Sequence, residues 1–209
     1  MSDACYYLGL DLGQAADYTA ITILERPAIL RRIGYHPEPP APTVYNLRHL
    51  ERVTLGTSYP AIAQRVKALV GADPLRDHVT VIADATGVGV AVMDVLRAAG
   101  VKPLIPVTIT GGDQVTYDKG ALRVPKRDLV MALLVLFQSE RLKVAAGLRL
   151  ADTLRQELLA FKVEIDPQTA HDSYAAWREG AHDDLVLSAA LAAWYANRAG
   201  STRARVRAI

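Results

Sequence analysis

Cysteine is almost missing from this chain: Cys5 is the single one in 209 residues. One thiol excludes an internal disulfide and cannot by itself make a cysteine zinc site, which fits a reducing compartment. No basic segment followed by an apolar stretch opens the chain, so no secretion signal is expected. Long apolar runs are missing as well. The longest, around 129–137 and 185–196, fall short of the roughly 20 residues that cross a bilayer, and no membrane partner is expected. Net charge is only +2, so overall charge makes no case for a polyanionic partner. Its distribution says slightly more. Arg198, Arg203, Arg205 and Arg207 crowd the C-terminal end, and Lys119, Arg123, Lys126 and Arg127 form a second basic cluster. Internal repeats, heptad arrays and low-complexity segments are also absent.

What is present suffices for a substantial core. Hydrophobic residues make up 51 % and charged residues 22 %, which excludes global disorder. YYLGLDLG reads as a buried strand ended by Gly13, and YTAITILER as a second strand, hairpin-paired with it. AILRRIGYH is a possible further strand, PEPPAP a loop or hairpin tip, and VYNLRHLERV a third main strand. SYPAIAQRVKALV carries apolar residues at helical spacing, with Pro60 near its first turn. HVTVIAD, the turn TGVG, the helix VAVMDVLRAAG and the strand PLIPVTIT make one β-α-β unit with a parallel pair. PKRDLVMALLVLFQSE reads as a helix, RLKVA as a short edge segment, and LRLADTLRQELLAFKVE as a helix entering a strand. Residues 166–180 read as a polar loop or hairpin, and a last buried helix begins near Asp183. The order predicts an α/β fold, a mixed central sheet flanked by helices on both faces. The expected organisation is one domain over 1–198 and a basic tail over 199–209.

Acidic residues mark the ends of core elements in three places. Asp11 lies on the first strand between Leu10 and Leu12, Asp84 ends VTVIAD, and Asp183 and Asp184 open the last helix. Ligands of open α/β sheets gather outside the carboxyl ends of strands, where Asp84 sits. Asp84 as a turn former and Asp183 as a helix N-cap are the structural alternatives. If the acids meet, two carboxylates ~4 Å apart repel by about 4 kcal/mol at an effective dielectric of 20. Such a cluster needs raised pKa values or a divalent cation, and without a Cys/His cage all-oxygen ligands point to Mg²⁺ or Mn²⁺. That chemistry is the two-metal cleavage of phosphodiesters.

GLDLGQAADYTAITILE, VIADATGVGVAVMDVL, VPKRDLV and HDDLVLSAALAAW together resemble the nuclease domain of bacteriophage large terminases. The resemblance runs from about residue 6 to 198 in the family's motif order. It implies an RNase H-like fold, similar to Holliday-junction resolvases, and a metal-dependent endonuclease that cuts double-stranded DNA during genome packaging. It implies metal ligation by Asp11, by Asp84, and by Asp183, Asp184 or both, with two Mg²⁺ or Mn²⁺ ions. Adjacent helical residues point about 100° apart, so one of the last pair is expected to touch metal directly. Lys126 matches a lysine that binds a DNA phosphate or orients the attacking water, the alternative being a solvated lysine at a helix start. Gln14 and Asp17 match the turn after the first strand, where an Asx-turn is the simpler reading. His182 borders the site. The family's setting implies the cytoplasm of a bacterial host, a phage or prophage origin, and other packaging proteins as partners. One departure is large: no G-x-x-x-x-G-K-[ST] phosphate loop occurs, so a packaging ATPase is expected to be separate or missing.

Two rival classes share parts of the pattern. An actin-like or sugar-kinase-like ATP-binding phosphotransferase would use Asp11, Gly13 and Thr19 in one phosphate loop and DATGVG in another. It would need two lobes and gives no reason for HDD. A non-catalytic RNase H-like nucleic-acid-binding module is the other, and it need not keep all the acids. TGVGVAV lacks the third glycine of a dinucleotide fingerprint.

Overall fold

The computed structural model describes residues 4–13, 17–28, 42–87, 89–164 and 183–206. Its strands are β1 (Cys5–Asp11), β2 (Thr19–Arg26), β3 (Tyr45–Val53), β4 (Val79–Asp84), β5 (Leu104–Thr110), β6 (Thr116–Asp118), β7 (Ala121–Pro125) and β8 (Leu142–Val144). The helices are α1 (Tyr59–Val70), α2 (Gly89–Ala98), α3 (Lys126–Gln138), α4 (Ala151–Glu164) and α5 (Asp184–Val206). The strands form one sheet in the order β6-β7-β5-β4-β1-β2-β3-β8. β1 and β2 are the expected antiparallel hairpin, and β3 pairs antiparallel with β2. β1, β4, β5 and β7 run parallel, so their carboxyl ends share one edge of the sheet.

Alternation decides which layer each side chain joins. On β1, Tyr6, Leu8 and Leu10 pack with Val79, Val81 and Ala83 of β4 under α1 and α2. Tyr7 and Ile82 turn to the opposite layer, built from α3, α4 and α5. The observed architecture is therefore the expected one: a mixed central sheet with helices on both faces. Each fully buried leucine, such as Leu129 and Leu133 on α3, contributes about 1.5–3 kcal/mol relative to an exposed one.

α5 is apolar on nearly every side of its first half and is correspondingly buried, from Leu185 to Ala193. It crosses β1, β2 and β4 closely because its residues there are small and Gly9 has no side chain. A Cβ on Gly9 would lie 1.8 Å from the Ser188 carbonyl oxygen. The Ser188 hydroxyl shares a 2.8 Å hydrogen bond with Thr22 Oγ1 and donates to the Leu185 carbonyl. The helix is thus fixed on the sheet by both shape and polar registry.

Several local expectations need correction. Asp11 is the last residue of β1, so Leu12 lies beyond the strand. Beyond it the Gly13 N–H donates to Thr19 Oγ1 at 3.1 Å. The hairpin β6–β7 did not stand out in sequence. Its turn is built by Lys119 (φ 48°) and Gly120 (φ 83°), a left-handed pair that glycine tolerates and that matches strand twist. Pro125 closes β7, and α3 begins at Lys126. The last helix runs through Val206. The segments AILRRIGYH and PEPPAP fall almost wholly outside the described residues, as do Gln14, the 166–180 loop and His182.

Candidate active site

The parallel register of β1 and β4 pairs Leu10 with Ala83, so the next residues, Asp11 and Asp84, stand side by side where the strands end. Period two puts both carboxylates on the α5 face: Asp11 follows Tyr7 and Gly9, and Asp84 follows Ile82. Both are buried. Among the described residues the buried polar groups are three acids, Asp11, Asp84 and Asp184, and three hydroxyls, Thr19, Thr22 and Ser188. Buried acids are rare unless paired or neutralised, and here they lie in one region.

Asp183 supplies the third carboxylate at this edge. Its carbonyl accepts the Leu187 N–H at 2.8 Å, making it the residue that opens α5. Its Oδ2 accepts a hydrogen bond from Lys126 Nζ at 3.2 Å. Lys126 reaches this point because β7, the neighbour of β5, delivers the start of α3 to the same sheet edge. The lysine is about one-fifth exposed, so it is not the solvated lysine that one alternative required.

Electrostatics follow from the crowding. Burial holds Asp11 well above the usual aspartate range, and the charges of Asp84, Asp183 and Asp184 push it further, with Lys126 opposing. Burial raises Asp84 to about 6, although the Thr86 N–H donates to its Oδ1 at 2.7 Å. Asp183 is raised by burial and drawn back by Lys126. Lys126 is lowered by burial and supported by Asp183, Asp11 and Asp84. The ammonium is therefore the internal counter-charge of three acids.

Asp184 faces elsewhere. It accepts from Arg52 Nε at 2.7 Å and Nη2 at 3.0 Å, a two-pronged pair on the side of α5 toward β3. Arg52 also donates to Glu157 Oε1 on α4. Glu157, raised to about 7 by burial and by Asp184, accepts the Val186 N–H through its other oxygen at 3.2 Å. Neither Arg52 nor Glu157 stood out in sequence. The signal available was weak: an arginine ending an alternating strand, and a glutamate beside Leu158 on an apolar helix face.

Other expected participants are dispersed. The second basic cluster does not act as a unit: Arg127 pairs with Asp113 and Asp128, and Arg123 lines an open cavity of about 570 Å³ with Thr110–Gln114 and Thr116. Asp17 is exposed and lines a smaller cavity of about 180 Å³ with Thr19, Thr54 and Tyr59.

The donor set fits a hard divalent cation, since Asp11, Asp84 and Asp183 offer only oxygen. As they stand, no three acids among the described residues are close enough to share one ion, and Lys126 balances their charge instead. Among the described residues no helix is long and apolar enough to cross a membrane.

Topology defines the chain as an α/β protein with one mixed eight-stranded sheet between helical layers. Among solved structures it is similar to the large terminase nuclease from thermophilic phage G20c. The identity is 19 %, covering 91 % of this chain and 81 % of that one, at a TM-score of 0.47. It is also similar to RuvC from Thermus thermophilus, at 15 % identity over 93 % of this chain and 94 % of that one, with a TM-score of 0.44. No family model and no curated protein matches the chain. At these identities and TM-scores neither likeness fixes an activity.

Proposed function

We propose that the protein is a metal-dependent endonuclease that cleaves DNA phosphodiester bonds, with Asp11, Asp84 and Asp183 as its cation ligands. One observation carries this reading. Three acids from β1, β4 and the start of α5 lie at the carboxyl edge of the sheet, and burial and the charges of neighbouring acids destabilise their ionised forms. A fold gains nothing from such an arrangement by itself, and perturbed carboxylates gathered at one edge mark a functional site.

Mg²⁺ or Mn²⁺, one ion or two, would supply charge neutralisation at the scissile phosphate and activation of water. The chain's own contribution is position. Two strand ends fix Asp11 and Asp84, and a buried helix fixes Asp183 opposite them. Lys126 donates to Asp183 in the metal-free protein, and its ammonium is placed to donate instead to a phosphate oxygen of double-stranded DNA. Asp184 is engaged by Arg52 and is assigned no ligand role. The finer reading is a nuclease of viral genome packaging in a bacterial cytoplasm. It is supported by the four ordered sequence motifs.

The test is plasmid nicking with Mg²⁺ or Mn²⁺. Cleavage is expected with either ion, and none with EDTA or with Asp84→Asn. Cutting that survives both treatments would overturn the proposal, and thermal stabilisation by ATP would favour the kinase-like class instead.

A further inference from the structure

Arg52 belongs to β3, separated from β1 by a whole strand, yet its guanidinium reaches the first turn of α5. Three elements and the residue ahead of β2 meet on that one group. Nε and Nη2 grip both oxygens of Asp184, and Nη2 also donates to Glu157 of α4. The guanidinium lies over the Tyr18 ring, 5.0 Å from its centre, just ahead of β2. Glu157 completes the loop by accepting the Val186 N–H, one of the first-turn amides that have no partner within a helix. The acid side chains are only 6 % and 8 % exposed.

A buried ion network of this kind is weak evidence for stability, because apolar groups of similar volume often serve as well. Its distinctive property is directional. A guanidinium fork admits one planar arrangement with a carboxylate, so gripping Asp184 fixes the rotation of the first turn about the helix axis. Asp183 is the adjacent residue, pointing about 100° away. With helix side chains reaching roughly 5–6 Å from the axis, a 20° rotation would carry its carboxylate roughly 2 Å. That displacement is large beside the 3.2 Å separation of Asp183 from Lys126.

We propose that Arg52, with Asp184 and Glu157, is the positioning device that aims Asp183 at Asp11 and Asp84. The consequence for metal binding rests on the nuclease reading; the aiming itself does not. It explains why two adjacent aspartates open the helix: one faces the site and its neighbour is the handle by which it is held.

The informative variant neutralises the whole network, so that no charge is orphaned: Arg52→Met, Glu157→Gln and Asp184→Asn together. Three quantities are compared with wild type: amide exchange over residues 183–187, Mn²⁺ affinity, and the separate kcat and KM for DNA cleavage. The expected result is a folded protein with exchange at least tenfold faster in that turn, and Mn²⁺ binding at least tenfold weaker. A lower kcat with unchanged KM is expected beside it. Arg52→Lys, which keeps the charge and loses the fork, should recover stability without recovering Mn²⁺ affinity. Wild-type exchange and Mn²⁺ affinity in the triple variant would overturn the proposal, as would full rescue of Mn²⁺ affinity by Arg52→Lys. If wild type itself binds no Mn²⁺, the nuclease reading fails, and the exchange comparison alone then upholds or overturns the positioning role.

Discussion

Replacing Asp84 by asparagine separates a turn-forming aspartate from one held ionised for chemistry. The side chains are isosteric, and the asparagine carbonyl can still accept the Thr86 N–H that now bonds Oδ1 at 2.7 Å. A turn former would therefore lose little or nothing. A buried carboxylate raised from 3.8 to about 6 behaves differently. Its folded pKa lies above its unfolded one, so its ionised form opposes folding. The opposition is nil well below pH 3.8, grows through the interval, and is complete above the folded value. At about 1.4 kcal/mol per unit the full effect is about 3 kcal/mol, and at pH 4.5 it is about 1 kcal/mol. Asp84→Asn should accordingly stabilise the metal-free protein at pH 8 by up to about 3 kcal/mol, or on the order of 6–12 °C in Tm for a chain of this size. The gain should shrink to about a third at pH 4.5. Thermal melts in EDTA at the two pH values, paired with the nicking assay, measure it. A more stable and inactive variant is the expected outcome, the trade-off of a strained active site. A variant that is destabilised at pH 8, or equally stabilised at both pH values, would refute the reasoning.

Three further outcomes follow from the same geometry. Gly9→Ala places a Cβ 1.8 Å from the Ser188 carbonyl oxygen, and the backbone-to-backbone clash should cost more than about 3 kcal/mol, read as loss of soluble protein or a collapsed urea midpoint. Asp183→Asn should abolish cleavage with little change in Tm, whereas Asp184→Asn should lower Tm while sparing part of the activity, because it weakens Arg52's fork and leaves the cation ligands in place. Lys126→Met removes the counter-charge of three acids, and should destabilise the metal-free protein at pH 8 by about 1–3 kcal/mol; Mn²⁺ should then raise its Tm by more than it raises that of wild type.

Much of this could be read from residue order. Alternation along YYLGLDLG and VTVIAD states which side chains face which layer, but the parallel pairing of these two strands, which sets Asp11 beside Asp84, was not read from residue order. The long apolar helix was legible, because nothing but burial suits a segment apolar on every side. Its rotation was not. Which of Asp183 and Asp184 faces the sheet edge depends on Arg52 and Glu157, whose partners lie 132 and 105 positions apart along the chain. No local pattern encodes a contact of that range. Lys126 was visible as a residue before a helix, but its burial depends on where β7 ends, and β7 itself was hidden by short strands around an unremarked Asp-Lys-Gly turn.

The most direct test of the central claim is a Mn²⁺-soaked crystal examined by anomalous diffraction. The account predicts density between Asp11, Asp84 and Asp183, with Lys126 displaced from Asp183 and Asp184 still gripped by Arg52. Absence of Mn²⁺ at that edge under conditions that support cleavage, or an ion held by Asp184 in place of Asp183, would contradict it.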